Sequence, residues 1–187
     1  MMRVIAGSAK SLRLKTPAGN DTRPTTDRIK ETLFNMIQNQ IPGGLFIDLF
    51  SGSGAIGIEA LSRGARHAYF VENAKPAIAC IQEDLCATHM EDKATLLKTD
   101  VNSGILSIHE READVIFMDP PYQAGYEEPV LEALSKAPYV TENTLLIMEA
   151  DIHKDFSFVK QYGFDIIKEK TYKTNKHVFL EKESQSQ

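Results

Sequence analysis

The sequence predicts an α/β protein: a Rossmann-like, mostly parallel sheet with helices on both faces, a C-terminal antiparallel hairpin and a small N-terminal hairpin extension. Three observations carry this prediction. Short apolar runs alternate with helical patterns from Leu45 to Glu149, the βαβα rhythm of a parallel sheet covered by helices. Glycines punctuate the junctions, with Gly52 and Gly54 before the first helical stretch and Gly64 after it, where tight turns and helix ends need them. The last two runs flank Thr174-Asn175, a turn signal between antiparallel strands.

Taken in order, residues 2–15 alternate weakly around Gly7-Ser8 and read as a small hairpin. A loop, Arg23-Pro24-Thr25-Thr26-Asp27, leads into a helix capped by Thr26 or Asp27. Ile29, Leu33, Phe34, Met36 and Ile37 give that helix an apolar stripe, and Pro42-Gly43-Gly44 is expected to end it. The main alternation follows: strand Leu45–Leu49, helix Ala55–Arg63, strand His67–Glu72, helix Pro76–His89, strands Ala94–Asp100 and Ala113–Asp119, helix Glu127–Lys136 and strand Thr144–Glu149. A short helix over Phe156–Tyr162 precedes the hairpin of Phe164–Tyr172 and Lys176–Glu181. The division expected is a basic hairpin and helix extension over 1–42, a main domain over 43–183 and a flexible tail over 184–187.

With 187 residues, 42% of them hydrophobic, the chain can bury one sizeable core. No apolar run reaches spanning length and no charged-then-apolar leader opens it, so a soluble, cytoplasmic protein is expected, as a monomer. Cys80 and Cys86 lack metal or redox spacing, and the five histidines are scattered; no metal is expected. The net charge is −5, yet the first thirty residues hold seven basic side chains against two acidic ones. A basic arm on an acidic body is either a solvated segment or the footprint of a phosphate backbone.

Four acids fall at expected strand ends: Asp48, Glu72, Asp100 and Asp119. Open α/β sheets bind ligands along that edge, near the topological switch point. Asp100 is equally readable as a helix N-cap. Between Asp48 and the first helix runs Phe50-Ser51-Gly52-Ser53-Gly54-Ala55-Ile56-Gly57. Gly52, Gly54 and Gly57 match the dinucleotide fingerprint, with Glu72 at ribose-binding spacing, so an NAD-dependent oxidoreductase is one alternative. Asp48 beside the glycine loop suits a cationic ligand better than a pyrophosphate. After the fourth strand, Asp119-Pro120-Pro121-Tyr122 combines a carboxylate, outward-aimed carbonyls and a flat ring. It reads as a clamp for a planar group bearing an amine. S-adenosylmethionine, with adenosine, ribose diol, ammonium and sulfonium, fits the set: Glu72 accepting from the ribose, Asp100 from the adenine amine, and Asp48 with the glycine loop facing the methionine portion.

These motifs resemble those of class I S-adenosylmethionine-dependent methyltransferases and, more narrowly, the RsmD family, which methylates N2 of a guanine in small-subunit ribosomal RNA. The resemblance rests on Arg3-Val4-Ile5-Ala6-Gly7, on the segment from Arg23-Pro24-Thr25-Thr26-Asp27-Arg28 to Phe34, on Asp48–Gly54, on Val71-Glu72 and on Asp119–Tyr122. It implies Asp119, Pro120, Pro121 and Tyr122 as the catalytic set. The implied cofactor set is Asp48, Phe50, Ser51, Gly52, Gly54, Glu72, Asp100, Val101 and Thr25. RNA contacts are expected from Arg3, Lys10, Arg13, Arg23 and Arg28, with 16S RNA or the 30S subunit as partner. The tetrapeptide is shared with DNA adenine methyltransferases, so another nucleic-acid amino-methyltransferase is a second alternative. The glycine loop and the proline clamp are both intact, which counts against a non-catalytic RNA-binding module.

Overall fold

The computed structural model describes residues 2–17, 26–121 and 125–184. Nine strands are assigned in them: β1 (Met2–Arg3), β2 (Arg13–Leu14), β3 (Leu45–Leu49), β4 (His67–Val71), β5 (Ala94–Leu97), β6 (Val115–Met118), β7 (Leu145–Asp151), β8 (Phe164–Thr171) and β9 (Asn175–Lys182). The helices are α1 (Asp27–Met36), α2 (Ala55–Ser62), α3 (Lys75–Thr88), α4 (Val101–Ser107) and α5 (Glu127–Lys136), with short 3-10 turns at Glu91–Lys93 and Ser157–Tyr162.

β1 and β2 form an antiparallel pair. The other seven strands form one sheet in the order β5-β4-β3-β6-β7-β9-β8. The first five are parallel, and β9 and β8 close the far edge antiparallel. The chain runs outward from β3 to β5 and then returns to lay β6 on the other side of β3, so the switch point lies between β3 and β6. The loops after those two strands therefore diverge and leave a crevice.

Side-chain alternation divides the sheet between two cores. On one face Phe46, Phe70, Phe117, Ile147 and Phe179 pack with Leu33 and Phe34 of α1, Ile58 of α2 and Ile81 of α3. On the other, Ile47, Leu49, Ile116, Met118 and Met148 pack with Ile105 of α4 and Val130 and Leu134 of α5. The N-terminal hairpin shares the first core through Met2, Val4 and Leu14.

Three residues dock that hairpin. Glu59 of α2 is fully buried and accepts from the Ile5 and Ala6 N–H groups at 2.7 and 3.0 Å. It also holds Arg63 at 2.8 Å and Lys30 of α1 at 3.4 Å. The Ser62 hydroxyl accepts from the Ala9 N–H, and a Cβ on Gly7 would meet the Ser62 carbonyl at 1.8 Å. Asp84 of α3 accepts from the Lys15 N–H; burial raises its pKa to about 6.

Four sequence expectations need correction. The apolar pattern marks no helix between Leu97 and Ala113, yet α4 lies there, and the N-cap reading of Asp100 holds: its carboxylate accepts the Ser103 N–H at 3.0 Å. Gly104 inside α4 hides the pattern, and it is required because a Cβ would stand 2.5 Å from Val71. β5 accordingly ends at Leu97 rather than at Asp100. α1 stops at Met36, well before Pro42, with the Ile37 N–H capping back to Leu33. Lys30, one of the seven basic side chains counted toward the basic arm, is wholly buried and paired with Glu59.

Candidate active site

The register of the central strands puts the acids on one face. Asp48 pairs with Phe117 across β3 and β6, and Met118 pairs with Met148 across β6 and β7. Asp119 and Glu149 follow that last pair by one residue each, so both project to the Phe117 side of the sheet. His177 of β9 pairs with Glu149 and joins the same row. A cavity of about 490 Å³ opens at this corner. Its walls include Asp48, Phe50, Ser51 and Gly52 from the glycine loop, Asp119, Pro120 and Pro121 from β6, Glu149 and Asn175 from β7 and β9, and Met2 and Ile29 from the N-terminal segment.

The glycine loop is built for close approach. Phe50 has φ +60° and Gly52 and Gly54 have φ +52° and +76°. Positive φ at a phenylalanine is strained and is held by its surroundings; its ring stands edge-on to Tyr126 at 5.1 Å. A Cβ on Gly54 would press on Ile81 at 2.8 Å. The loop is pinned from both sides. The Ser51 hydroxyl donates to the Asp48 carbonyl at 2.7 Å, and the Gly52 N–H donates to Glu72 at 2.8 Å. The Asn73 and Ala74 N–H groups also donate to Glu72, each at 2.8 Å. Three N–H donors thus fix that carboxylate just past β4.

Asp48 lies within β3, not at its tip, and is 2% exposed. Burial raises its pKa to about 8, reinforced by Glu72 and opposed by the Gly57 N–H that donates to it at 3.0 Å. Burial therefore favours its protonated form in the free protein, and a cationic ligand beside it would favour the carboxylate. Asp119 is also raised, first by burial and then by the charges of Glu149 and Asp48. None of the described residues donates a hydrogen bond to it. Glu149, by contrast, is held on both oxygens: Asn175 donates to Oε1 at 2.5 Å and His177 Nε2 meets Oε2 at 3.0 Å. Tyr172 meets the other ring nitrogen of His177 at 3.1 Å.

A family profile described as "Conserved hypothetical protein 95" matches residues 2–181. Ribosomal RNA small subunit methyltransferase D of Escherichia coli K12 is 32% identical over 154 residues, 81% of this chain and 75% of that protein. This chain belongs to the RsmD family of class I methyltransferases. YlbH of Bacillus subtilis strain 168, provisionally named an rRNA methyltransferase, is 39% identical over 152 residues, 80% of this chain and 83% of that one. The solved structure of E. coli yhhF, provisionally named a methyltransferase, superposes with a TM-score of 0.85 at 28% identity, covering 98% of this chain and 99% of the other. Membership in the RsmD family sets aside the oxidoreductase alternative.

The structure gathers Asp48, Phe50, Ser51, Gly52, Asp119, Pro120 and Pro121 around one cavity, with Glu72 joined to it through Gly52. Asp100 and Val101 stand farther out, past β5, and do not line it; Asp100 is exposed and its pKa is lowered by the Ser103 hydroxyl and N–H. Lys10, Arg13 and Arg28 are exposed, whereas Arg3 is exposed but paired with Asp27 at 3.1 Å. Arg23, Thr25 and Tyr122 lie outside the described residues. Sequence reasoning missed Glu149, Asn175 and His177. Glu149 carried the same signal as the other acids, a carboxylate closing an apolar run, applied to the fifth strand of the alternation.

Proposed function

We propose that this protein transfers the methyl group of S-adenosylmethionine to N2 of a guanine in 16S ribosomal RNA, in the small subunit or an assembly intermediate of it. One observation carries the reading: Asp119-Pro120-Pro121 opens on the same cavity as the glycine loop, with the Asp119 carboxylate free of donors among the described residues. The site fits the cofactor. Phe50, Ser51 and Gly52 of the glycine loop line the cavity, and Glu72 and Asp48 supply acceptors for hydroxyls and for a cation. S-adenosylmethionine, when bound, supplies an electrophilic methyl group on a sulfonium, and S-adenosylhomocysteine remains afterwards. Glu72, oriented by three N–H groups, accepts from the ribose hydroxyls. Asp100 and Val101 serve the adenine, Phe50, Ser51, Gly52 and Gly54 shape the cradle, and Thr25 is assigned to the same ligand.

The acceptor nitrogen of guanine is a poor nucleophile because its lone pair is delocalised into the ring. Asp119 and the Pro120 carbonyl accept from its two hydrogens and favour a pyramidal nitrogen. With S-adenosylmethionine bound, its methyl group would be the electrophile and S-adenosylhomocysteine the leaving group, and the nitrogen's extra proton would pass to Asp119 or to water. A cation and two donors in the cavity stabilise the Asp119 anion that burial disfavours in the free protein. Tyr122 stacks on the extruded base, and Pro121 stiffens the turn that presents it. Much of the acceleration comes from positioning.

For the RNA, Arg3, Ser11, Arg13 and Asp27 line a groove of about 320 Å³ between hairpin and α1. Arg13, Lys10 and Arg28 meet phosphates, and Arg23 belongs to the same surface. The protein acts as a cytoplasmic monomer without metal or membrane. Radiolabelled methyl transfer from S-adenosylmethionine to 30S particles and to naked 16S RNA, followed by mapping of the modified base, tests the reading. A label on adenine, or none on either substrate, overturns it.

A further inference from the structure

We propose that Glu149 reads the ring N1–H of the acceptor guanine, so that Asp119 and Glu149 together accept the two adjacent donors of its amine edge. This deepens the guanine-N2 reading and rests on it. Among the standard bases, guanine alone places an exocyclic amine beside a ring N–H. Adenine and cytosine place theirs beside a bare ring nitrogen, which is an acceptor.

Three features of the structure point to this role. Asp119 and Glu149 are lateral neighbours on parallel strands, one residue past the Met118 and Met148 pair, and both line the cavity. Adjacent strands run about 4.8 Å apart, which puts both carboxylates within reach of one edge of one base. Glu149 is also a built group rather than a stray surface acid, since the residue is 6% exposed. Asn175 holds one of its oxygens and His177 the other.

The remaining network sets Glu149 up as an acceptor. His177 is fully buried, and its ring meets Tyr172 on one nitrogen and Glu149 on the other. With the Tyr172 O–H donating to Nδ1, the Nε2–H donates to Glu149 and leaves that side chain an acceptor-only carboxylate. Each oxygen then keeps a lone pair for a ligand. An adenine or cytosine in the same pose would set its ring lone pair against that anion, a repulsion that rejects it. Asp119 alone polarises any exocyclic amine. Asp119 with Glu149 selects guanine.

2-Aminopurine keeps the exocyclic amine of guanine, carries a bare nitrogen at N1 and lacks the O6 carbonyl, so substitutions at Glu149 are what isolate the N1 contact. The experiment compares 16S RNA bearing guanine or 2-aminopurine at the mapped position, at alkaline pH, with wild type, E149Q and E149A. Wild type is expected to prefer guanine in kcat/KM by roughly 10- to 100-fold, the discrimination usual for one well-placed readout contact. E149Q offers an amide that donates to the bare nitrogen, so the preference should fall to near unity or reverse. E149A should remove the preference without reversing it. The emission of 2-aminopurine gives a readout independent of turnover: E149Q should bind the extruded analogue more tightly than wild type does. An unchanged preference in both variants, with S-adenosylmethionine binding intact by calorimetry, overturns the assignment of Glu149. A wild type that leaves the guanine RNA unmethylated overturns the guanine-N2 reading instead, so the two failures are distinct.

Discussion

The two halves of the sheet edge are built on opposite plans. On the β4 and β5 side, the acids are oriented by N–H and hydroxyl donors of adjacent residues and of the glycine loop. Glu72 takes three N–H groups and Asp100 takes the Ser103 N–H and hydroxyl. On the β6 and β7 side, Asp119 has no donor among the described residues, and Glu149 is held by side chains of the neighbouring strand β9. The first half is stable as it stands. The second keeps acceptors in reserve: Asp119 is half-buried at the cavity wall, where a ligand can supply the donors the protein does not. That asymmetry separates a cradle formed before the cofactor arrives from a corner completed only by the acceptor base.

Asp119→Asn breaks the comparison most sharply. It preserves shape but replaces an anionic acceptor with an amide. Interactions expressed in the transition state appear in kcat, and loss of one such group costs about 10²- to 10³-fold. Single-turnover methyl transfer at saturating cofactor should fall by that order while calorimetric affinity for S-adenosylmethionine changes little. A wild-type rate would show that Asp119 does not clamp the amine.

Glu72→Ala attacks the other half, and its effect should fall on binding. Removing a charged acceptor of hydrogen bonds costs about 1–3 kcal/mol. Calorimetry should show S-adenosylmethionine weakened by that amount. The Gly52, Asn73 and Ala74 N–H groups would also lose their partner, so Glu72→Gln, which keeps one carbonyl acceptor, should recover part of the loss. Equal affinity in a folded alanine variant would remove Glu72 from the ribose.

How much of this was legible in the sequence follows from the distance over which each feature is encoded. The glycine loop, the Thr26 cap and the strand β3 are local patterns and stand where the sequence puts them. α4 was hidden because Gly104 answers to Val71, a contact across the sheet. Lys30 looked like surface charge because its partner, Glu59, sits on another helix. The Glu149, Asn175 and His177 cluster depends on the antiparallel register of β7 and β9, and no window of sequence contains both strands. Patterns of period two and 3.6 report which face a residue takes, not which side chain will meet it there.

Asp48 sits between the two halves and gives a pH signature. Its folded pKa is raised to about 8, first by burial and then by Glu72. The folded state therefore holds a proton that the unfolded chain has released. The resulting stability is complete below the ordinary aspartate value near 4 and is lost as pH rises through about 8. The thermal midpoint of the free protein should fall across that window, and Asp48→Asn should flatten the decline. S-adenosylmethionine should also bind with proton release, visible as a buffer-dependent calorimetric enthalpy. A midpoint slope identical in the variant would show that Asp48 is not the group responsible.

The smallest effect belongs to the hairpin, which neither half of the edge contains. Of its basic residues, Lys15 pairs with Glu83 and Arg3 with Asp27, and Lys30 of α1 is buried. Lys10 and Arg13 are exposed, and they carry the hairpin's remaining share of the basic footprint. Each phosphate contact adds about 0.7 to 0.9 to the slope of log affinity against log salt. Lys10→Gln with Arg13→Gln should therefore flatten that slope by roughly one to two in filter binding to 16S RNA. Affinity for S-adenosylmethionine should stay put, because neither residue lines the larger cavity. Arg3→Gln should change the slope less, since its guanidinium already answers Asp27 at 3.1 Å. If all three substitutions flattened the slope equally, the ion pair would open on RNA binding, and the groove beside α1 would be a deeper phosphate site than its free geometry shows.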